Sequence, residues 1–79
     1  MNMEQIIFWI LSLENGRYRQ YLKQLHTEFV SADIMDVNGI IALEIDDFEK
    51  WGFIQNSDDQ KDLLKHVKTL SIYVNNNIL

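Results

Sequence analysis

Apolar residues in this chain recur every three to four positions, and nowhere does a strand-like alternation persist. That period places one side of a helix against a core, whereas a strand exposes alternate residues to opposite faces. In the first segment Ile6, Trp9, Ile10 and Leu13 fall on one helical face. Ile7, Phe8 and Leu11 widen the stripe until most of the helix is apolar, the pattern of a helix that is deeply buried or supplies a contact surface. The second segment carries Tyr18, Tyr21, Leu22, Leu25 and Phe29 on one face, with Arg17, Arg19 and Lys23 off it. Proline is absent and only three glycines occur. Gly16, Gly39 and Gly52 each follow a helical pattern and read as stop signals, because glycine takes the left-handed conformation cheaply.

The remaining segments complete an all-α prediction. Ser31 reads as the N-cap of a third helix, with Asp33 in its first turn and Ile34 and Val37 as its buried pair. In the last segment Ser57 and Gln60 have capping-box spacing, and Asp58 and Asp59 occupy the electropositive first turn. Leu63, Val67, Leu70 and Val74 form its stripe, widened by Leu64 and Tyr73. Lys61, Lys65 and Lys68 line a solvated face, with Asp62 placed for a weak pair with Lys65. The expectation is a compact five-helix bundle with short third and fourth helices and a long C-terminal one.

Seventy-nine residues bound the count at one domain, spanning 1–79 with its core over about 4–74. A domain this small buries only about 60% of its unfolded surface and needs an efficient core. Its 47% hydrophobic and 24% charged content is that of a globular chain. Without cysteine there is neither disulfide nor thiolate metal site, which fits a reducing compartment. The net charge of −5 lacks the basic footprint of nucleic-acid binders. The apolar start falls short of the roughly 20 residues a membrane span requires, and it has no secretory cleavage pattern. The expected setting is cytoplasmic, without a membrane partner.

The stretch Leu43-x-x-Asp46-Asp47-Phe48-x-x-Trp51-Gly52-Phe53 holds the chain's most evident carboxylate pair. Adjacent helical residues point about 100° apart, and no nucleophile or apolar pocket lies nearby in sequence, so the pattern argues against shared-proton catalysis. It reads instead as a short helix begun by the aspartates and closed by Gly52, with Phe53 folding back over Phe48 and the last turn. Trp9 and Trp51 sit at core spacing and are expected to be at least half-buried. His26 lies at the edge of its apolar stripe, and neither it nor His66 has the neighbours a zinc site usually needs. No glycine-rich phosphate loop is present. The expectation is a non-enzymatic domain with no catalytic residue, cofactor or metal.

This ordered set resembles the sterile alpha motif (SAM) family. Leu43, Asp47, Phe48, Trp51, Gly52 and Phe53 fill its central motif, Ile6, Trp9 and Ile10 its first helix, and Leu63, Leu64, Val67 and Leu70 its final helix, over about residues 4–73. The segment from Phe29 to Ile41 resembles the SAM domains of ephrin-class receptor kinases. Three departures stand out: a longer stretch from Leu13 to Ile34, implying an extended second helix; Asp58-Asp59-Gln60 where the family often has Gly-His-Arg; and one extra residue after Gly52.

The resemblance implies a protein-interaction module in signalling or scaffolding that binds another protein, including another SAM domain. Its mid-loop surface would comprise Asp33, Asp36, Asp46, Asp47 and Glu49, and its end-helix surface Ser57, Gln60, Lys61 and Lys65. An acidic mid-loop would steer a basic partner. Asp58, Asp59 and Asp62 at the end helix would set like charge against like in a head-to-tail polymer, with Lys61 and Lys65 a partial offset. Two alternatives remain. One is RNA or lipid binding through Arg17, Arg19 and Lys23 or through Lys61, Lys65 and Lys68, although the RNA-binding members have a basic cluster where this chain is acidic. The other is self-association through the first or the end helix.

Overall fold

A computed structural model describes residues 1–72 of the chain. Tyr73 and Val74 of the expected last stripe lie outside the described residues. Among the described residues there are five α-helices and no strand: α1 (Met3–Ser12), α2 (Leu22–Ser31), α3 (Val37–Ile41), α4 (Ile45–Trp51) and α5 (Ser57–Lys68). Two 3₁₀ turns, Leu13–Gly16 and Arg19–Tyr21, link α1 to α2. The radius of gyration is 12.0 Å, close to the roughly 12 Å of a compact chain this long. None of these helices is long and apolar enough to cross a membrane.

One core joins all five helices. Ile6, Ile7 and Ile10 of α1 meet Leu25 and Phe29 of α2, Val37 and Ile40 of α3, Phe48 of α4, and Leu63 and Val67 of α5. Tyr18, Ile34, Leu43 and Ile54 close it from the connections, and Leu70, expected on the last helical stripe, does so from beyond α5, which ends at Lys68. Trp9 and Trp51 are half-buried, as their spacing predicts. Two stripe residues face outward instead: Phe8 is 73% exposed and Leu22 46%. His26, expected at the core boundary, is also exposed.

Helix ends account for most differences from the sequence reading. Asn2 caps α1 by a reciprocal box, its Oδ1 accepting from the Gln5 N–H and its own N–H donating to Gln5 Oε1, both at 2.9 Å. Ser31 does not begin α3; it is the last residue of α2. Beyond it Asp33 takes the left-handed conformation at φ 58°, outside any first turn. The Asp33 N–H donates to the Val30 carbonyl at 3.1 Å and the Ile34 N–H to that of Phe29 at 2.9 Å, the paired bonds of a Schellman ending. Ile34 and Phe29, the apolar contact of that motif, are both buried. The cap of α3 is Asp36, whose carboxylate accepts from the Gly39 N–H at 3.3 Å.

Gly39 is consequently not a stop signal but lies inside α3. Its role is close approach, since a Cβ there would sit 3.2 Å from Ile34 Cα. Gly52 does end its helix, at φ 77°, through a single bond from its N–H to the Phe48 carbonyl at 3.0 Å. The extra residues between Leu13 and Ile34 do not lengthen α2, which has 10 residues. They form the two 3₁₀ turns, where Glu14, Asn15 and Gly16 run left-handed in succession. Glu14, Arg17 and Tyr18 are thereby carried across to the side of α5.

Candidate functional site

The first half of α5 is built as a polar seam. Its cap is Asn56, not Ser57: Asn56 Oδ1 accepts from the N–H groups of Asp58 at 2.8 Å and Asp59 at 3.3 Å. Ser57 is the first helical residue. Gln60 closes no capping box either. It is buried, and its side-chain amide donates to the Ile54 carbonyl at 2.6 Å. The linker from Gly52 is pinned this way, and Ile54, which no helical period marked, is held in the core. Of the expected end-helix contacts, Ser57, Lys61 and Lys65 are exposed and Gln60 is not.

The charge pattern of this end differs from the bare sequence count. Asp59 is buried and paired with Arg17. The Tyr18 hydroxyl donates to Asp62, and His66 Nε2 lies 3.6 Å from the same carboxylate. Burial, followed by the hydrogen bond and charge of Asp62, pushes the Tyr18 phenol well above its ordinary range. The Asp59 charge raises the Arg17 guanidinium in turn. Two of the three carboxylates expected to repel a partner are thus engaged inside the molecule, and Asp62 pairs with Tyr18 and His66 rather than with Lys65.

The basic residues are similarly thinned. Arg17 belongs to Asp59. Lys68, expected on a solvated face, donates from Nζ to the Ile41 carbonyl at 2.7 Å and lies 3.6 Å from Glu44, tying α5 to the α3–α4 connection. Arg19 and Lys23 on one side and Lys61 and Lys65 on the other remain exposed.

The acidic candidates of the mid-loop surface divide into two groups. Asp36 and Asp47 act as caps, Asp47 accepting the Glu44 N–H at 2.8 Å. Asp33, Asp46 and Glu49 are exposed, and among the described residues none of the three is in an ion pair. An aromatic shelf forms at the C-terminal end of α4. Trp51 and Phe53 stack at 6.2 Å with their planes 8° apart, Phe48 meets the Trp51 ring edge-on at 5.5 Å, and Tyr21 lies 5.8 Å from Phe53. Phe53 thus folds back onto the last turn of α4 through Trp51. Two clefts border the shelf. One, of about 420 Å³, is lined by Lys23, Gln24, Thr27, Glu28, Trp51 and Phe53. The other, of about 310 Å³, lies between Glu28, Ser31, Ala32, Lys50 and Trp51.

Phe8 marks a third surface. It edges a groove of about 290 Å³ with Ile7, Leu11, Leu22 and His26. No family model, curated protein or solved structure matches this chain.

Proposed function

We propose that the chain is a protein-docking module of the SAM type, a binding domain rather than an enzyme, serving a signalling or scaffold assembly. The observation that carries the reading is that one short helix, α4, bears the exposed, unpaired acids Asp46 and Glu49 and ends in the partly exposed Trp51–Phe53 stack. Interface hot spots favour aromatic anchors within polar rims, and a negative rim steers a positively charged partner. Asp33 adds exposed charge one residue beyond Ala32, which lines the cleft against Trp51. Asp36 and Asp47 contribute charge from their capping positions. The partner is another protein with a basic contact surface, a second SAM domain included. The internal pairing of Asp59 and Asp62 weakens the charge objection to contacts at the end helix.

The test compares proteins captured by the wild-type chain with those captured by Asp46→Lys/Glu49→Lys and by the control Lys61→Glu, each partner then being purified and titrated. The reading expects a partner that the double variant loses and the control retains. A purified partner bound equally by all three proteins overturns the acidic-rim assignment.

A further inference from the structure

A second site, sharing no residue with the docking face, lies where the turn after α1 meets α5. Glu14 Oε1 is 3.0 Å from His66 Nε2, and Asp62 Oδ2 is 3.6 Å from the same nitrogen. All three donor atoms lie within 4.8 Å of one another. Two come from one face of α5 at i and i+4, and the third arrives from 52 residues away along the chain. We propose that Glu14, Asp62 and His66 bind a zinc-class divalent cation that clamps the Leu13–Gly16 turn onto α5.

The donor set and its dimensions carry the proposal. Zinc bonds to nitrogen and oxygen are about 2.0–2.1 Å, so neighbouring ligands in a tetrahedral site stand about 3.3 Å apart. The two separations at His66 bracket that value. One imidazole with two carboxylates suits zinc and its neighbours, whereas magnesium and calcium prefer oxygen alone. A bound ion would replace the direct Glu14–His66 contact, and solvent would complete the coordination. Asp62 also has an outer partner, because the buried Tyr18 hydroxyl donates to it and orients it. A search for ligands three or four residues apart finds only Asp62 and His66, since Glu14 enters through the left-handed run that turns the chain after α1.

The experiment titrates chelator-treated protein with Zn²⁺, by calorimetry and by the side-chain nitrogen shifts of both histidines, with excess Mg²⁺ as competitor. The expected result is one ion per chain, a shift at His66 Nε2 with His26 silent, no competition from Mg²⁺, and a melting temperature that rises with Zn²⁺. His66→Ala abolishes binding and Glu14→Gln weakens it. Tyr18→Phe, which removes only the orienting hydroxyl, lowers affinity by about 10–100-fold. Glu14 is exposed, so Glu14→Gln keeps the test interpretable even where the other variants lose stability. Absence of binding by the wild-type protein, or binding that Glu14→Gln leaves unchanged, overturns the proposal and leaves a histidine–carboxylate contact alone.

Discussion

Replacing Gly52 by alanine isolates a backbone cost from every packing effect. Gly52 closes α4 at φ 77° and ψ −4°, and a Cβ added there meets no atom within 4 Å. The substitution therefore creates no collision and removes no contact. It places an L-residue in the left-handed region, at about 1–2 kcal/mol. Alanine also restricts the unfolded chain, which returns about 0.4–1 kcal/mol. The net loss is about 1 kcal/mol, out of a total stability of about 4–12 kcal/mol for a domain this size. The expected fall in melting temperature is about 4–8 °C. Urea unfolding followed by circular dichroism should show a lower midpoint at unchanged slope, since no surface exposure changes. Gly52→Asn should lie between the two, because asparagine tolerates this conformation better than alanine. An alanine variant as stable as wild type would refute the left-handed ending. A loss of several kcal/mol would reveal a collision where the structure has open space.

The mirror substitution, Asp33→Gly, should stabilise the fold by up to about 1 kcal/mol, because Asp33 holds a left-handed position that glycine occupies freely; a lower urea midpoint would contradict the Schellman geometry. Asn56→Ala should cost about 1 kcal/mol while Ser57→Ala stays within about 0.5 kcal/mol, since Asn56 alone accepts the first-turn N–H groups. Equal losses at the two positions would show that the cap is shared. Tyr18 makes stability fall at alkaline pH. Its folded state holds the phenolic proton more tightly than the unfolded chain, so the contribution is fully present below about pH 10 and is lost as pH rises beyond it. Tyr18→Phe should start less stable at neutral pH yet lose stability less steeply above pH 10, measured as urea midpoint against pH. Parallel curves for the two proteins would exclude Tyr18 as the cause.

Much of the core was legible from spacing alone. Ile6, Ile10, Leu25, Phe29, Phe48, Leu63 and Val67 are buried where a period of 3.6 placed them, whereas Leu70 is buried just past the end of α5. Gly52 was legible for a similar reason, since a left-handed ending is a property of a few consecutive residues. Capping was less so. Asn56 and Ser57 are adjacent and both are good caps, and the choice between them depends on how the linker enters, which the buried Gln60–Ile54 bond determines. Asp33 and Gly39 show the same limit. The left-handed position fell to the aspartate because the chain must turn there to bury Ile34, while the glycine was needed where a side chain would press on Ile34.

The candidate sites divide along the same line. Asp46 and Glu49 were visible as site candidates because they fall on one short helix, whereas Trp51 and Phe53 read only as its packing anchors, since spacing alone does not reveal the ring surface left exposed. The engagement of Asp59 by Arg17, of Asp62 by Tyr18 and of Lys68 by Ile41 was not visible, because the partners are 42, 44 and 27 residues apart. The sequence by itself determined that the chain is helical and which faces most of its helices bury, since both follow from side-chain period and local backbone preference. Only the tertiary structure decided which charges remain free for a partner and which donor atoms gather around His66. Electrostatic pairing depends on distance in space, and for Glu14, Arg17 and Tyr18 the turns between α1 and α2 set those distances without leaving a periodic signal.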